Sequence, residues 1–152
     1  MGRMERTGEW VFSMLLWVFG GTFYFFVEVV WKTLSGNQDG ISWTMLLLAI
    51  FLCIPLERLG CELPWEMSLL VQSVLCAIGI TATEFVVGCI LNIWLGLNVW
   101  DYSAMPFNLW GQICIPFMGL WAVLSAFAIV VFDWMRYAVQ GGVKPHYQVK
   151  VI

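Results

Sequence analysis

Residues 69–94 read LLVQSVLCAIGITATEFVVGCILNIW, a run of 26 residues whose only ionisable acid or base is Glu84. About 20 apolar residues cross the hydrocarbon core of a bilayer as a helix, so the run is long enough to span it with tilt. A carboxylate at such depth costs roughly 2.5–3.5 kcal/mol on insertion scales, and it normally faces a partner or a watery cavity. Thr81, Glu84, Gly88 and Asn92 follow one another at spacings of three, four and four. Helical geometry therefore gathers them on one face, apart from Phe85, Val86, Ile90 and Leu91. A polar and small stripe on an apolar helix turns toward protein or a cavity. Two uses of the stripe remain open, a packing seam with Glu84 hydrogen-bonded, or a site for substrate, ion or proton.

The rest of the chain has the same character. Of its 152 residues 61% are hydrophobic, ten are Trp and 11% are charged, against roughly 25% charged in soluble domains. Mean hydropathy is +0.85. One soluble core of this length cannot hide so much apolar surface. The expected fold class is all-α, a polytopic four-transmembrane-helix bundle in one membrane domain over residues 1–152. Its helices are expected at about 10–31, 41–59, 67–95 and 110–134, with a tail over 136–152. Barrel strands are excluded by segment length, and backbone groups in lipid must be bonded within each segment. Trp10 and Trp31 bracket the first span, Trp43 opens the second, Trp65 and Trp94 flank the third, and Trp110 and Trp134 the fourth. Indole prefers the membrane interface. Trp17 and Trp121 fall in mid-span and are expected to pack between helices. Pro116 is expected to kink the first half of the fourth span, and the tail after Arg136 to fray.

Four spans put both termini on one side, where six of the seven basic residues fall: Arg3, Arg6, Arg58, Arg136, Lys144 and Lys150; only Lys32 is opposite. The positive-inside rule then expects cytoplasmic termini. The first apolar run lacks a small-residue cleavage site and reads as a retained span.

Candidate chemistry is sparse. The five cysteines form no CxxC pair and read as buried hydrophobes, with Cys61 alone in an expected loop. No metal site or cofactor is expected. His146, the only histidine, lies in the tail, which excludes a His-based catalytic pair within the bundle. Glu57 is expected at the interface, accompanied by Arg58. Glu28 lies near the outer end of the first span, where it can approach Glu84. Asp101, Ser103 and Asn108 are turn and capping types, and Asn108 is expected to cap the fourth helix. The candidate intramembrane polar site is Glu28, Thr81, Glu84, Asn92, Asp101 and Asn108. Seven dispersed basic residues argue against nucleic-acid binding.

The run Thr83-Glu84-Phe85-Val86-Val87-Gly88, then Trp100-Asp101-Tyr102-Ser103, Pro106-Phe107-Asn108 and Gly111-Gln112-Ile113-Cys114, resembles the ABC-transporter type IV family, the CmpB-like small permease proteins. The likeness is close over about Thr81–Trp121, and Glu28-Val29-Val30-Trp31-Lys32 extends it more weakly. Members often carry a Ser-His-Trp-Ser-Met-like run after the first helix; this chain has Ile41-Ser42-Trp43-Thr44-Met45 there and no histidine. The resemblance implies a permease-like protein of a bacterial inner membrane and transfers no mechanism. The chain has no GxxxxGK[ST], so ATP-driven transport requires a separate ATPase subunit. Four helices are few for a conduit, which favours a homo-oligomer surrounded by membrane lipid. A non-transporting structural or regulatory subunit and a lipid-modifying enzyme remain as alternatives.

Overall fold

The computed structural model describes residues 10–36 and 41–149. Four long helices run up and down: α1 (Trp10–Leu34), α2 (Trp43–Glu62), α3 (Leu69–Gly88) and α4 (Ile115–Gln140). All four are long and apolar enough to cross a membrane. At 1.5 Å per residue, the 20 residues of α2 cover about 30 Å, the thickness of the hydrocarbon core. The molecule thus has a proximal end, carrying Trp10, Glu62, Leu69 and Gln140, and a distal end carrying the connection between α3 and α4.

Its surface is inverted relative to a soluble protein. Phe19, Phe26, Phe51 and Phe127 are about half exposed or more, whereas Ser13, Glu57, Gln72, Glu84, Ser125 and Arg136 are buried. Polar groups inside and phenylalanine outside is the stable arrangement when the solvent is hydrocarbon. Trp10, Trp31, Trp43, Trp94 and Trp110 are all at least 60% exposed, close to or beyond the helix ends. The apolar interior is small: Leu16, Cys53, Leu56, Cys76, Ile129 and Phe132 form one cluster, and Ala77, Ile80 and Trp121 another.

Packing is closest between α1 and α2 and between α3 and α4, while α1 and α4 meet through side chains, among them Tyr24 with Trp121 and Ser13 with Arg136. Gly21 permits the first approach. A Cβ there would lie 2.5 Å from the backbone N and Cα of Ile50, so only glycine fits.

Several local expectations are corrected. Helix α2 runs through Pro55 and past the expected end near residue 59 to Glu62, so Cys61 is helical and buried rather than in a loop. Helix α4 begins at Ile115, with Pro116 in its first turn. There the missing N–H has no helical acceptor in any case, so no kink follows. Asn108 does not cap that helix; Cys114 occupies the N-cap position. Instead Asn108 opens β1 (Asn108–Leu109), which pairs antiparallel with β2 (Ile113–Cys114). The turn between them closes with a Gln112 N–H donated to Leu109 O at 3.0 Å. Trp110 and Gly111 sit there at φ 53° and 69°, the positive-φ pair that tight hairpin turns demand. Helix α3 continues through a wider π-helical turn over Cys89–Trp94. Residues 141–149 fold back over the proximal end rather than fray, and the expectation for residues 150–152 lies outside the described residues. The Leu69 N–H donates to Gln148 O at 2.8 Å, Tyr147 Oη donates to Asp133 at 3.0 Å, and His146 stacks on Trp65 at 4.7 Å. Among the basic residues counted for orientation, Arg3, Arg6 and Lys150 lie outside the described residues.

Candidate functional site

The stripe on α3 is buried as its spacing predicts: Thr81, Glu84, Gly88 and Asn92 all face inward. Glu84 is 5% exposed. Its Oε2 accepts from Trp121 Nε1 at 2.9 Å and its Oε1 from Tyr102 Oη at 3.0 Å. One donor comes from α4 and the other from the connection that folds over the distal end, so a single carboxylate joins three parts of the chain. Both donors are neutral. The described cations are engaged elsewhere: Arg136 with Glu57, Lys32 with Glu28 at 2.8 Å, Arg58 over Trp10 and Lys144 over Trp134. Glu84 has two hydrogen-bond donors and no cationic partner among the described residues.

Tyr102 lies outside the spans, and its ring stacks on Phe117 at 4.6 Å. Burial holds its phenol well above the ordinary range, and the charges of Glu84 and, more weakly, Glu28 push the same way. Tyr102 therefore remains a donor at any physiological pH. Tyr24 packs on Trp121 with ring centroids 5.5 Å apart. Glu28, one turn further along α1, pairs with Lys32, while its Oε2 is buried with no hydrogen-bond partner among the described residues. Among the described residues no direct hydrogen bond joins Glu28 to Glu84.

Asn92 serves the backbone of the connection. Its Oδ1 accepts from Val99 N–H at 2.7 Å and its Nδ2 donates to Gln112 Oε1 at 2.8 Å. The π-helical turn that carries it, a distortion often found at functional positions, aims this side chain at the connection. Gly88 leaves room for the same contact, since a Cβ there would be 2.7 Å from Gln112 Oε1. Thr81 Oγ1 is buried and has no hydrogen-bond partner among the described residues. Asp101 and Asn108 stay apart from Glu84, exposed on the outer surface of the connection. The Asp101 carboxylate accepts from Ser103 Oγ at 2.5 Å and from Ser103 N–H at 2.8 Å. The Ser103 hydroxyl, then its backbone N–H, holds the Asp101 carboxyl below the ordinary range. Asn108 donates to the carbonyls of Ser103 and Met105 and accepts from Gly111 N–H. Both residues shape the hairpin.

A second polar cluster lies at the proximal end, and it corrects the expected pairing of Glu57 with Arg58. Glu57 is 3% exposed and forms a buried ion pair with Arg136 of α4. Its Oε1 also accepts from Ser13 Oγ at 3.1 Å and from Cys61 Sγ at 3.2 Å, and its Oε2 from Trp17 Nε1 at 3.2 Å. Helical geometry explains the exchange: Arg58 is one residue further round α2, so it turns to Trp10 while Glu57 faces the interior. The sequence carried a signal for this cluster, since Arg136 follows Asp133 by one turn at the end of an apolar helix.

Taken together, four membrane-length helices with an inverted surface and two polar clusters inside define a multi-pass membrane protein. Residues 15–149 match the family described as "Putative ABC-transporter type IV", and the chain belongs to that family. No curated protein and no solved structure matches the chain.

Proposed function

We propose that this protein is a permease-type membrane subunit in which Glu84 is the exchangeable carboxylate of an intramembrane transport site. The observation carrying this reading is the carboxylate itself, buried in a span, met by two neutral donors and lacking a cation among the described residues. A buried acid of this kind is stable either with a proton or with a bound cation, and exchange between those states is what coupled transport uses. Membership of the family supports association with further transporter subunits, among them a separate ATPase. The positive-inside rule supports a proximal end in the cytoplasm of a bacterial inner membrane, since Arg58, Arg136 and Lys144 gather there and Lys32 lies distally. Homo-oligomerisation would supply a conduit that four helices do not.

The test is proton flux into liposomes containing the purified protein and a trapped pH dye. Wild type should dissipate an imposed pH gradient and Glu84→Gln should not, with an unchanged melting profile. Equal flux from both, or none from wild type, would remove Glu84 from transport. A second reading rests on a specific observation: Tyr102 and Trp121 bind both carboxylate oxygens, so Glu84 also staples the distal connection to α3 and α4. If Glu84→Gln unfolds the distal end in detergent, the staple is its main role.

A further inference from the structure

Beyond Trp94 the chain turns back along α3. The Leu97 N–H donates to Leu91 O at 2.9 Å and the Val99 N–H to Asn92 Oδ1 at 2.7 Å. Trp100 reaches Gly88, where a Cβ would lie 3.0 Å from its Cζ2, and Tyr102 reaches Glu84. The partners therefore descend from the π-helical turn to Glu84. After the hairpin turn the Trp110 ring packs on Phe85 at 5.7 Å. Side chains on a helix lean toward its N-terminus, which for α3 is the proximal end, so the Phe85 ring lies no further out than its own backbone. Trp94 is roughly 10 Å further out along α3 than Phe85. Trp31 stands about as far beyond Tyr24, which packs on Trp121 at the level of Glu84. Indoles at helix ends mark the interface, and the Trp110 ring sits on the hydrocarbon side of this pair.

The outer surface of the hairpin suits that depth. Phe107 is 79% and Trp110 70% exposed, and each is held at φ 53°, a conformation bulky residues seldom adopt unless the surrounding structure imposes it. The hairpin's own bonds impose it here. Asn108 Nδ2 donates to the carbonyls of Ser103 and Met105, the Tyr102 N–H to Gly111 O at 2.7 Å, and Trp100 Nε1 to Gln112 O at 3.0 Å. Non-helical backbone at membrane depth is tolerated only where the protein itself bonds its polar groups. Val86, Ile90 and Ile93 are exposed on the same distal part of α3, so the two rings extend a surface that already meets lipid. Between Leu95 and Cys114 the only charged side chain is Asp101, and Ser103 satisfies its carboxylate twice.

We propose that the distal connection is a re-entrant hairpin that dips into the distal leaflet, with Phe107 and Trp110 seated among lipid chains and Asp101 kept at the level of the head groups. Its partner is a net-neutral phospholipid surface. Anionic head groups are drawn by Lys and Arg; the hairpin has neither, and its one charge is negative. The placement stands whether or not Glu84 exchanges a proton.

A spin label on Phe107→Cys in phosphatidylcholine nanodiscs tests it, read by collisions with oxygen, which concentrates among lipid chains, and with a water-soluble nickel chelate. Wild type treated with the same reagent supplies the background from the native cysteines. Val86→Cys on the exposed face of α3 is the lipid reference, and Lys144→Cys at the proximal end is the aqueous one. The oxygen-to-nickel ratio at Phe107 should exceed that at Lys144 several-fold and approach that at Val86. Leu109→Cys, 47% exposed in the native chain on the same hairpin, decides if Phe107→Cys misfolds. A ratio equal to that at Lys144 would put the hairpin in water and overturn the proposal. A label shielded from both reagents would mean that a second copy or another subunit covers the rings, and would overturn it too. Replacing part of the lipid by phosphatidylglycerol should leave the ratio unchanged; immersion seen only with phosphatidylglycerol would overturn the assignment of a net-neutral surface.

Discussion

Replacing Arg136 by methionine should be among the most damaging single changes in the proximal half of the bundle. The guanidinium is the only cation joined to Glu57 among the described ion pairs, and that carboxylate is 3% exposed. In Arg136→Met the carboxylate keeps its neutral donors, Ser13, Trp17 and Cys61, but loses its countercharge in a low-dielectric interior. Removing one partner of a buried pair typically costs about 3–5 kcal/mol, because the survivor is left desolvated and uncompensated. For a chain of this size each kcal/mol moves Tm by roughly 2–4 °C, so a drop of about 6–20 °C is expected. Glu57→Gln alone should be milder, since the amide keeps its neighbours and the freed arginine can reach the proximal interface by extending its long stem. The double variant Glu57→Gln with Arg136→Met should recover much of the loss. Thermal unfolding in detergent of all four proteins closes the cycle. If the two single effects simply add, the ion pair has no coupling and the account of the proximal cluster fails.

Gly21→Val should separate α1 from α2, because the new Cβ meets the Ile50 backbone at 2.5 Å and no rotamer relieves that; a loss of at least 1–3 kcal/mol is expected. Gly119→Ala, with open space around it, serves as the control and should be neutral or slightly stabilising in the same melt. Tyr102→Phe keeps the ring stacked on Phe117 but removes the donor to Glu84, at a cost of about 1–3 kcal/mol, and should increase amide exchange across residues 96–114 specifically. Ser103→Ala should raise the Asp101 carboxyl toward its ordinary range while the Ser103 N–H keeps part of the depression. Because the native carboxyl is depressed, its contribution to stability is present above about pH 4 and is lost as pH falls through the lowered value; a carbon-detected titration of Asp101 reads the shift, and an unchanged titration would dismiss the hydroxyl as its cause.

Local rules fix what the sequence alone determined. Hydropathy and length decide that 69–94 crosses a membrane, since every backbone group in hydrocarbon must be bonded within its own segment. Period and spacing decide that Thr81, Glu84, Gly88 and Asn92 share a buried face. Indole chemistry decides where the spans end. Pairing across the bundle depends on which helices adjoin, and no local pattern carries that. Asp101 was the acid nearest to Glu84 in the distal connection, yet the turn that Ser103 holds points it outward and sends the neighbouring Tyr102 inward. Glu57 and Arg58 are adjacent in the chain, but one step round a helix is about 100°, enough to give Glu57 to Arg136 and Arg58 to Trp10. Pro116 looked like a kink until the hairpin over 108–114 moved the start of α4 to Ile115. Tertiary structure decided these partners because they come from residues 18 to 79 positions away, where contact follows from helix packing and loop closure rather than from the order of residues.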